Sequence, residues 1–211
     1  MAKETRLRSW RRLLPLLYVL LLAGGCSRIP KIIVLSDPLT AAEHVELGVA
    51  YERKGELDLA LREYERALRK DGKFYRARVN LGNIFLAKKE YGKAREEYLL
   101  ALELRPGDAE ATNNLSWAAI FSGEGIDEAL ARMEAVVSGS PPRPTLLDTL
   151  GVLRMRANRP GEAEEAFALA ETLCRQAGAA PREGVNGDPP CPEEVLREIE
   201  DHRGELRSRF P

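Results

Sequence analysis

Three cysteines and two histidines are the residues of this 211-residue chain whose types could most readily do chemistry. Cys26 follows Leu22-Ala23-Gly24-Gly25, and the two glycines leave its thiol open to a modifying enzyme or a peptidase. Cys174 and Cys191 have 16 residues between them, so two thiols stand where they either bridge or stay free. His44 and His202 each fall on a helical pattern with no second histidine at metal-ligand spacing. Gly123 and Gly125 lie in a turn that lacks the Lys-Ser/Thr a phosphate cradle requires. The glutamates, Glu164 and Glu165 among them, are spaced as on solvated helix faces. No catalytic residue, no metal site and no cofactor is therefore expected. The chemistry that remains is recognition, and its side chains must be positioned by the elements around them.

The N-terminal segment differs in composition from everything after it. Arg6, Arg8, Arg11 and Arg12 precede an uncharged run from Leu13 to Gly25, which Pro15 interrupts. That run falls short of the ~20 apolar residues of a membrane-spanning helix. The order of basic, apolar and small residues is that of an export signal. At this position, Leu22 to Cys26 resembles the bacterial lipobox. The resemblance implies that residues 1–25 are a signal peptide, that the Cys26 thiol is acylated with palmitate-type chains, and that Cys26 becomes the mature N-terminus. Each buried methylene contributes about 0.8 kcal/mol, so several acyl chains anchor the protein without a span. Ser27, under the sorting rule described for some two-membrane bacteria, permits transfer to the outer membrane, facing the periplasm. Residues 26–39, with Pro30, Pro38 and the short run Ile32-Ile33-Val34-Leu35, read as a lipidated tether. In an exported chain a Cys174–Cys191 bridge would contribute roughly 3 kcal/mol under the chain-entropy model; free thiols are the alternative. After Cys26 becomes the first residue, 27 basic and 32 acidic side chains remain, a net charge of −5 that excludes nucleic acid as a partner.

Thr40-Ala41-Ala42-Glu43 has capping-box spacing and predicts the first helix of the folded region. Four segments then share one layout, beginning at Leu47, Leu81, Leu115 and Leu150. Gly48, Gly82, Ser116 and Gly151 form one column, and Ala60, Ala94, Ala129 and Ala163 another. The spacings are 34 residues with one extra residue in the third unit, predicted in the turn Ser122–Gly125. Tyr51 and Phe85 fill an aromatic column; Tyr64, Tyr98 and Phe167 fill a second, where the third unit has Met133. Ala67, Ala101, Val136 and Ala170 follow, and Pro106 and Pro141 close two units. This pattern resembles the tetratricopeptide repeat over about residues 41–175.

The resemblance implies an all-α fold, a solenoid of antiparallel helix hairpins in which glycine and alanine let neighbouring helices approach. One hairpin cannot bury its apolar stripe alone, so about three or more must stack. The expected units within 40–175 are 41–74, 75–108, 109–143 and 144–177. A Gly/Pro-rich loop is expected over 176–191 and a capping helix over 192–211, with Val195, Leu196, Ile199 and Leu206 as its apolar stripe.

In tetratricopeptide proteins the first helix of each unit lines a groove that binds peptide segments. Removing the packing columns leaves Asn80, Asn83, Asn113, Asn114 and Trp117 for that face, with Arg76 and Phe121 at its margins. Amides both donate and accept, which suits an extended backbone, and Trp117 adds apolar area with a polar edge. Relatives that capture a carboxylate C-terminus pair asparagines with cations. Here Asn83 and Asn114 match, but the lysine positions hold Val45 or Val79 and Glu110 or Thr145, so that clamp is incomplete. The expected function is a membrane-anchored adaptor that binds a protein or peptide partner in the cell envelope. Lipoproteins of this architecture include assembly factors for type IV pili and outer-membrane complexes. A permanent structural subunit of an envelope assembly is the alternative, and an enzyme with substrate-recruiting repeats a distant third. No small-molecule substrate is indicated.

Overall fold

The computed structural model describes residues 37–179 and 191–210. The signal segment 1–25, Cys26, the tether as far as residue 36 and residues 180–190 of the loop lie outside the described residues. The chain divides into Met1–Pro38 and Leu39–Pro211; only residues 37 and 38 of the first part are described, and all of the helices below belong to the second.

Among the described residues there are nine α-helices and no strands: α1 Ala41–Arg53, α2 Leu57–Lys70, α3 Tyr75–Ala87, α4 Tyr91–Leu104, α5 Ala109–Ser122, α6 Ile126–Gly139, α7 Pro144–Arg156, α8 Pro160–Ala179 and α9 Glu193–Arg209. Local chemistry sets the starts. Thr40 and Glu43 form a full capping box, the Thr40 amide donating to Glu43 Oε2 at 2.8 Å and the Glu43 amide to Thr40 Oγ1 at 3.3 Å. Asp108 Oδ1 caps the Ala111 amide at 2.9 Å, and Pro144 occupies the first turn of α7, where its missing N–H costs nothing.

The turn inside each hairpin carries a left-handed residue at the same point of the repeat: Gly55, Lys89, Gly123 and Asn158. Glycine and asparagine tolerate that region readily; Lys89 adopts it because the packing of α3 on α4 fixes the turn. The third turn holds a second left-handed glycine, Gly125, immediately before α6. The extra residue of that unit is therefore absorbed between Gly123 and α6, and both helical faces keep their phase.

Helices pair as α1 with α2, α3 with α4, α5 with α6 and α7 with α8, and each pair packs on the next. The glycine column explains how closely the partners lie. A Cβ on Gly82 would fall 2.5 Å from Tyr98 Cε1, and one on Gly151 2.5 Å from Phe167 Cε1. The rings of Tyr64, Tyr98 and Phe167 are wholly buried in the notches so formed, as are Ala60, Ala94 and Ala163. The third unit departs from the column and shows why it can. Met133, unbranched and flexible, replaces the ring, so Ser116 fits where glycine is otherwise required. Its hydroxyl is satisfied by donating to the Thr112 carbonyl at 2.8 Å.

His44 is also wholly buried, but its contact is polar: Nδ1 lies 2.8 Å from Glu63 Oε2, and Glu63 Oε1 accepts from Arg66. At the other end, α8 continues to Ala179, past residue 176 where the loop is predicted to start. Gln176, Ala177 and Ala179 favour helix, and the single Gly178 costs only about 1 kcal/mol against them. Helix α9 begins at Glu193 with Pro192 as its N-cap and lies against α8 and α7. Ile199 and Leu206 are its buried residues, and Val195 and Leu196 are partly buried. A disulfide joins Cys174 of α8 to Cys191, two residues before α9. Arg203 of α9 pairs with Glu164 and Glu171 of α8 at 2.5 Å each.

Candidate functional site

The first helices α1, α3, α5 and α7 are joined side to side by a polar series that ends on α9. Arg76 of α3 reaches Glu46 of α1 at 3.0 Å. Asn83 of α3 is the acceptor for two donors, the Tyr98 hydroxyl at 2.7 Å and Asn114 Nδ2 of α5 at 3.0 Å. Asn113 Oδ1 of α5 accepts from the Thr149 hydroxyl of α7 at 2.8 Å. Asp148 of α7 holds His202 of α9, whose Nδ1 lies 2.9 and 3.0 Å from the two carboxylate oxygens. Helix α9 thus stands beside α7 as a further first helix would, and each helix of the face is tied to the next.

Five residues singled out from sequence fall on or beside this series. Asn83 and Asn114 bond each other, Asn113 bonds α7, and Asn80 lies near the Tyr64 hydroxyl, which donates to Glu52. The structure bonds Asn83 to Asn114, which lies one helical turn before Trp117 on α5, while Asn80, one turn before Asn83 on α3, faces the preceding unit. These amides therefore hold the units in register as well as lining the face. Asn83 Oδ1 is already taken twice, so the hydrogen-bonding capacity left to this side chain is that of its amide N–H groups.

Rings form a row that runs from this face into the core. Tyr91 lies 5.6 Å from Phe121, Phe121 5.5 Å from Trp117, Trp117 5.9 Å from His202, and His202 6.2 Å from Phe167, all between ring centroids. Trp117 is half-buried, whereas Phe121 is 55% exposed, a large ring left in water at the end of α5. Tyr91, Asp148 and His202 are the members that sequence reasoning leaves out. Asp148 and Thr149 were legible as polar residues one repeat after Asn113 and Asn114; His202 has no repeat column to mark it.

Burial raises the Tyr98 phenol above its ordinary range, and the Glu110 carboxylate raises it further. Burial likewise raises Tyr64, with Glu52 adding to it. Both stay protonated and remain hydrogen-bond donors. The His202 imidazole is also raised, chiefly by its hydrogen bond to Asp148, and Glu205 and Glu198 add to this; desolvation opposes it. A raised pKa in the folded state means that folding stabilises the protonated ring. The stabilisation is complete below about pH 6.5, the unfolded value, and fades as pH rises through the higher folded value. Thermal melts of the wild type and His202→Gln should therefore differ most on the acidic side of that interval and converge above it; a constant difference across pH would reject the assignment. Among the described residues no group of three His, Cys, Asp or Glu side chains gathers to hold a metal ion.

Stacked helix hairpins presenting a hydrogen-bonded, aromatic face define a repeat scaffold. Residues 38–109 match the family model of the tetratricopeptide repeat, and the whole described array has the all-α solenoid fold of such proteins. No curated protein matches the chain by sequence. Among solved structures, the APC/C hetero-tetramer Cut9–Hcn1 superposes with a TM-score of 0.64 at 18% identity. That match covers 81% of this chain and 30% of the other, so the chain spans less than a third of that protein's length. Pseudomonas aeruginosa pilF gives 0.59 at 22% identity, over 80% of this chain and 69% of its own. The second TPR domain of human RPAP3, solved with the HSP70 peptide SGPTIEEVD, gives 0.50 at 21% identity, over 54% and 94%. At these identities the likeness is one of fold.

Proposed function

We propose that this protein is an adaptor of the bacterial cell envelope, anchored through lipidated Cys26, which holds a segment of a partner protein on its first-helix face. The observation that carries the reading is the joined Asn83–Asn114–Trp117 face with Phe121 exposed beside it. A large ring held in water next to amides with hydrogen-bonding capacity to spare is the composition of a recognition surface. The RPAP3 domain, of related fold, is solved with a peptide bound. The reading requires no catalytic step. The anchor rests on the lipobox resemblance of Leu22–Cys26; among the described residues no helix is long and apolar enough to cross a membrane. On this reading the outer membrane, facing the periplasm, is the destination that Ser27 permits.

Crosslinking in native envelopes tests the two parts separately. Trp117→Ala with Phe121→Ala should abolish partner recovery while the far-ultraviolet circular dichroism stays that of the parent. Unchanged recovery removes the face from the function. Cys26→Ser should move the chain from the membrane to the soluble fraction and eliminate acyl mass from its N-terminus; retention in the membrane rejects the anchor.

A further inference from the structure

Four residues of α5 lie on one stripe. Glu110, Asn114, Trp117 and Phe121 follow each other at four, three and four residues, the spacing that keeps side chains on a single face of a helix. Asn114 and Trp117 are half-buried, and the two ends, Glu110 and Phe121, are exposed. Glu110 forms no salt bridge among the described residues, and its carboxylate acts on the nearby hydroxyls of Tyr75 and Tyr98. Arg105 is the cation beside that position, and it lies over the Tyr75 ring at 4.1 Å.

Elsewhere on the face most charges are paired with one another. Glu52 accepts from the Tyr64 hydroxyl and has no cation paired with it among the described residues. Asp148 is paired with His202, and Glu205 and Glu198 act electrostatically on the same ring. Arg76 is neutralised by Glu46 at 3.0 Å, and Arg156 lies 3.9 Å from Glu205. A partner seated on this surface meets acceptors and carboxylates at one end of the stripe and aromatic rings at the other.

We propose that the α5 stripe selects an extended, positively charged partner segment, placing a Lys or Arg side chain against Glu110 and a bulky apolar side chain against Trp117. Seven residues of helix separate those two positions, a rise of about 10 Å. A segment in the extended polyproline-II conformation advances about 3.1 Å per residue and returns to the same face every three residues, so the two side chains stand about three residues apart in the partner. Asn114, between them, faces the partner's backbone. The acidic peptide SGPTIEEVD of the RPAP3 complex has the opposite charge and is not the kind of segment this surface accepts. The inference rests on the adaptor reading above and adds the chemistry of the partner to it.

The test is a selection from a random peptide library on the full chain held in detergent, repeated with Glu110→Lys and Glu110→Gln. Enriched peptides should carry Lys or Arg about three positions from Trp, Phe or Leu. Glu110→Lys should weaken a selected peptide about tenfold and strengthen its Lys→Glu counterpart, with Glu110→Gln intermediate. Glu110 is exposed, so both variants should retain the parent's circular dichroism. Enrichment of acidic peptides, or affinities indifferent to Glu110, overturns the charge assignment and leaves the adaptor reading standing. Absence of any enriched sequence overturns both.

Discussion

Phe167→Ala is expected to lower the unfolding free energy by about 3–5 kcal/mol, the cost of removing a fully buried aromatic ring. The ring is wholly buried, and its Cε1 edge occupies the notch that Gly151 leaves open. That geometry places the effect toward the upper end. Gly151 has no side chain to move into the void, and the ring also packs against His202 of α9. The third unit shows which replacement is tolerated, since Met133 fills the same column. Phe167→Met should therefore recover much of the loss, provided that the glycine is kept. Nearest-neighbour coupling carries stability in a repeat array, so the damage should fall first on α7, α8 and α9. Urea unfolding followed by circular dichroism, with hydrogen exchange to localise the loss, measures both features. A loss below about 1 kcal/mol would mean that the notch collapses freely and would contradict the close packing described here.

Removing the bridge, as Cys174→Ser with Cys191→Ser, should cost about 2–4 kcal/mol. The Cys174 side chain is buried among Leu147, Ala170 and Ile199, so the bridge is built into the seat of α9. Helix α9 needs such a tie because only Ile199 and Leu206 of its side chains are buried. Its ion pairs with α8 are partly exposed, and pairs of that kind contribute at most about 1 kcal/mol each. Without the bridge, seating α9 requires bringing the ends of the segment between Ala179 and Glu193 together at a loss of chain entropy. Hydrogen exchange over 193–209 should accelerate, with α1 to α4 unchanged, and adding salt should loosen α9 further only in the double variant. If the urea midpoint stays where it is in the parent, the ion pairs and apolar contacts hold α9 by themselves.

The hairpins could be read from sequence because their constraint is local and repeated. Gly82 must lack a Cβ wherever Tyr98 occupies the facing column, and the same requirement returns at Gly48 and Gly151. The exception was legible too, since Ser116 occurs where Met133 replaces the ring. The capping box at Thr40 and the proline before α9 likewise act over a few residues. The end of α8 was less so, because Gln176 and Ala177 carry no breaker and the turn composition around them suggested one too early.

The first-helix face required the fold. Which asparagines meet depends on how far each hairpin is rotated against the next, and that angle is the sum of many side-chain contacts between helices. Asn83 and Asn114 are 31 residues apart and His202 and Asp148 are 54 apart, yet each pair is in hydrogen-bond contact. The sequence by itself determined the helical period, the glycine notches and the rings that fill them, because those follow from steric exclusion within one repeat. Only the tertiary structure decided that the asparagines spend part of their bonding on each other, that Cys174 meets Cys191, and that α9 brings His202 to Trp117. Such pairings depend on the relative placement of separate hairpins, which no spacing within a single repeat encodes.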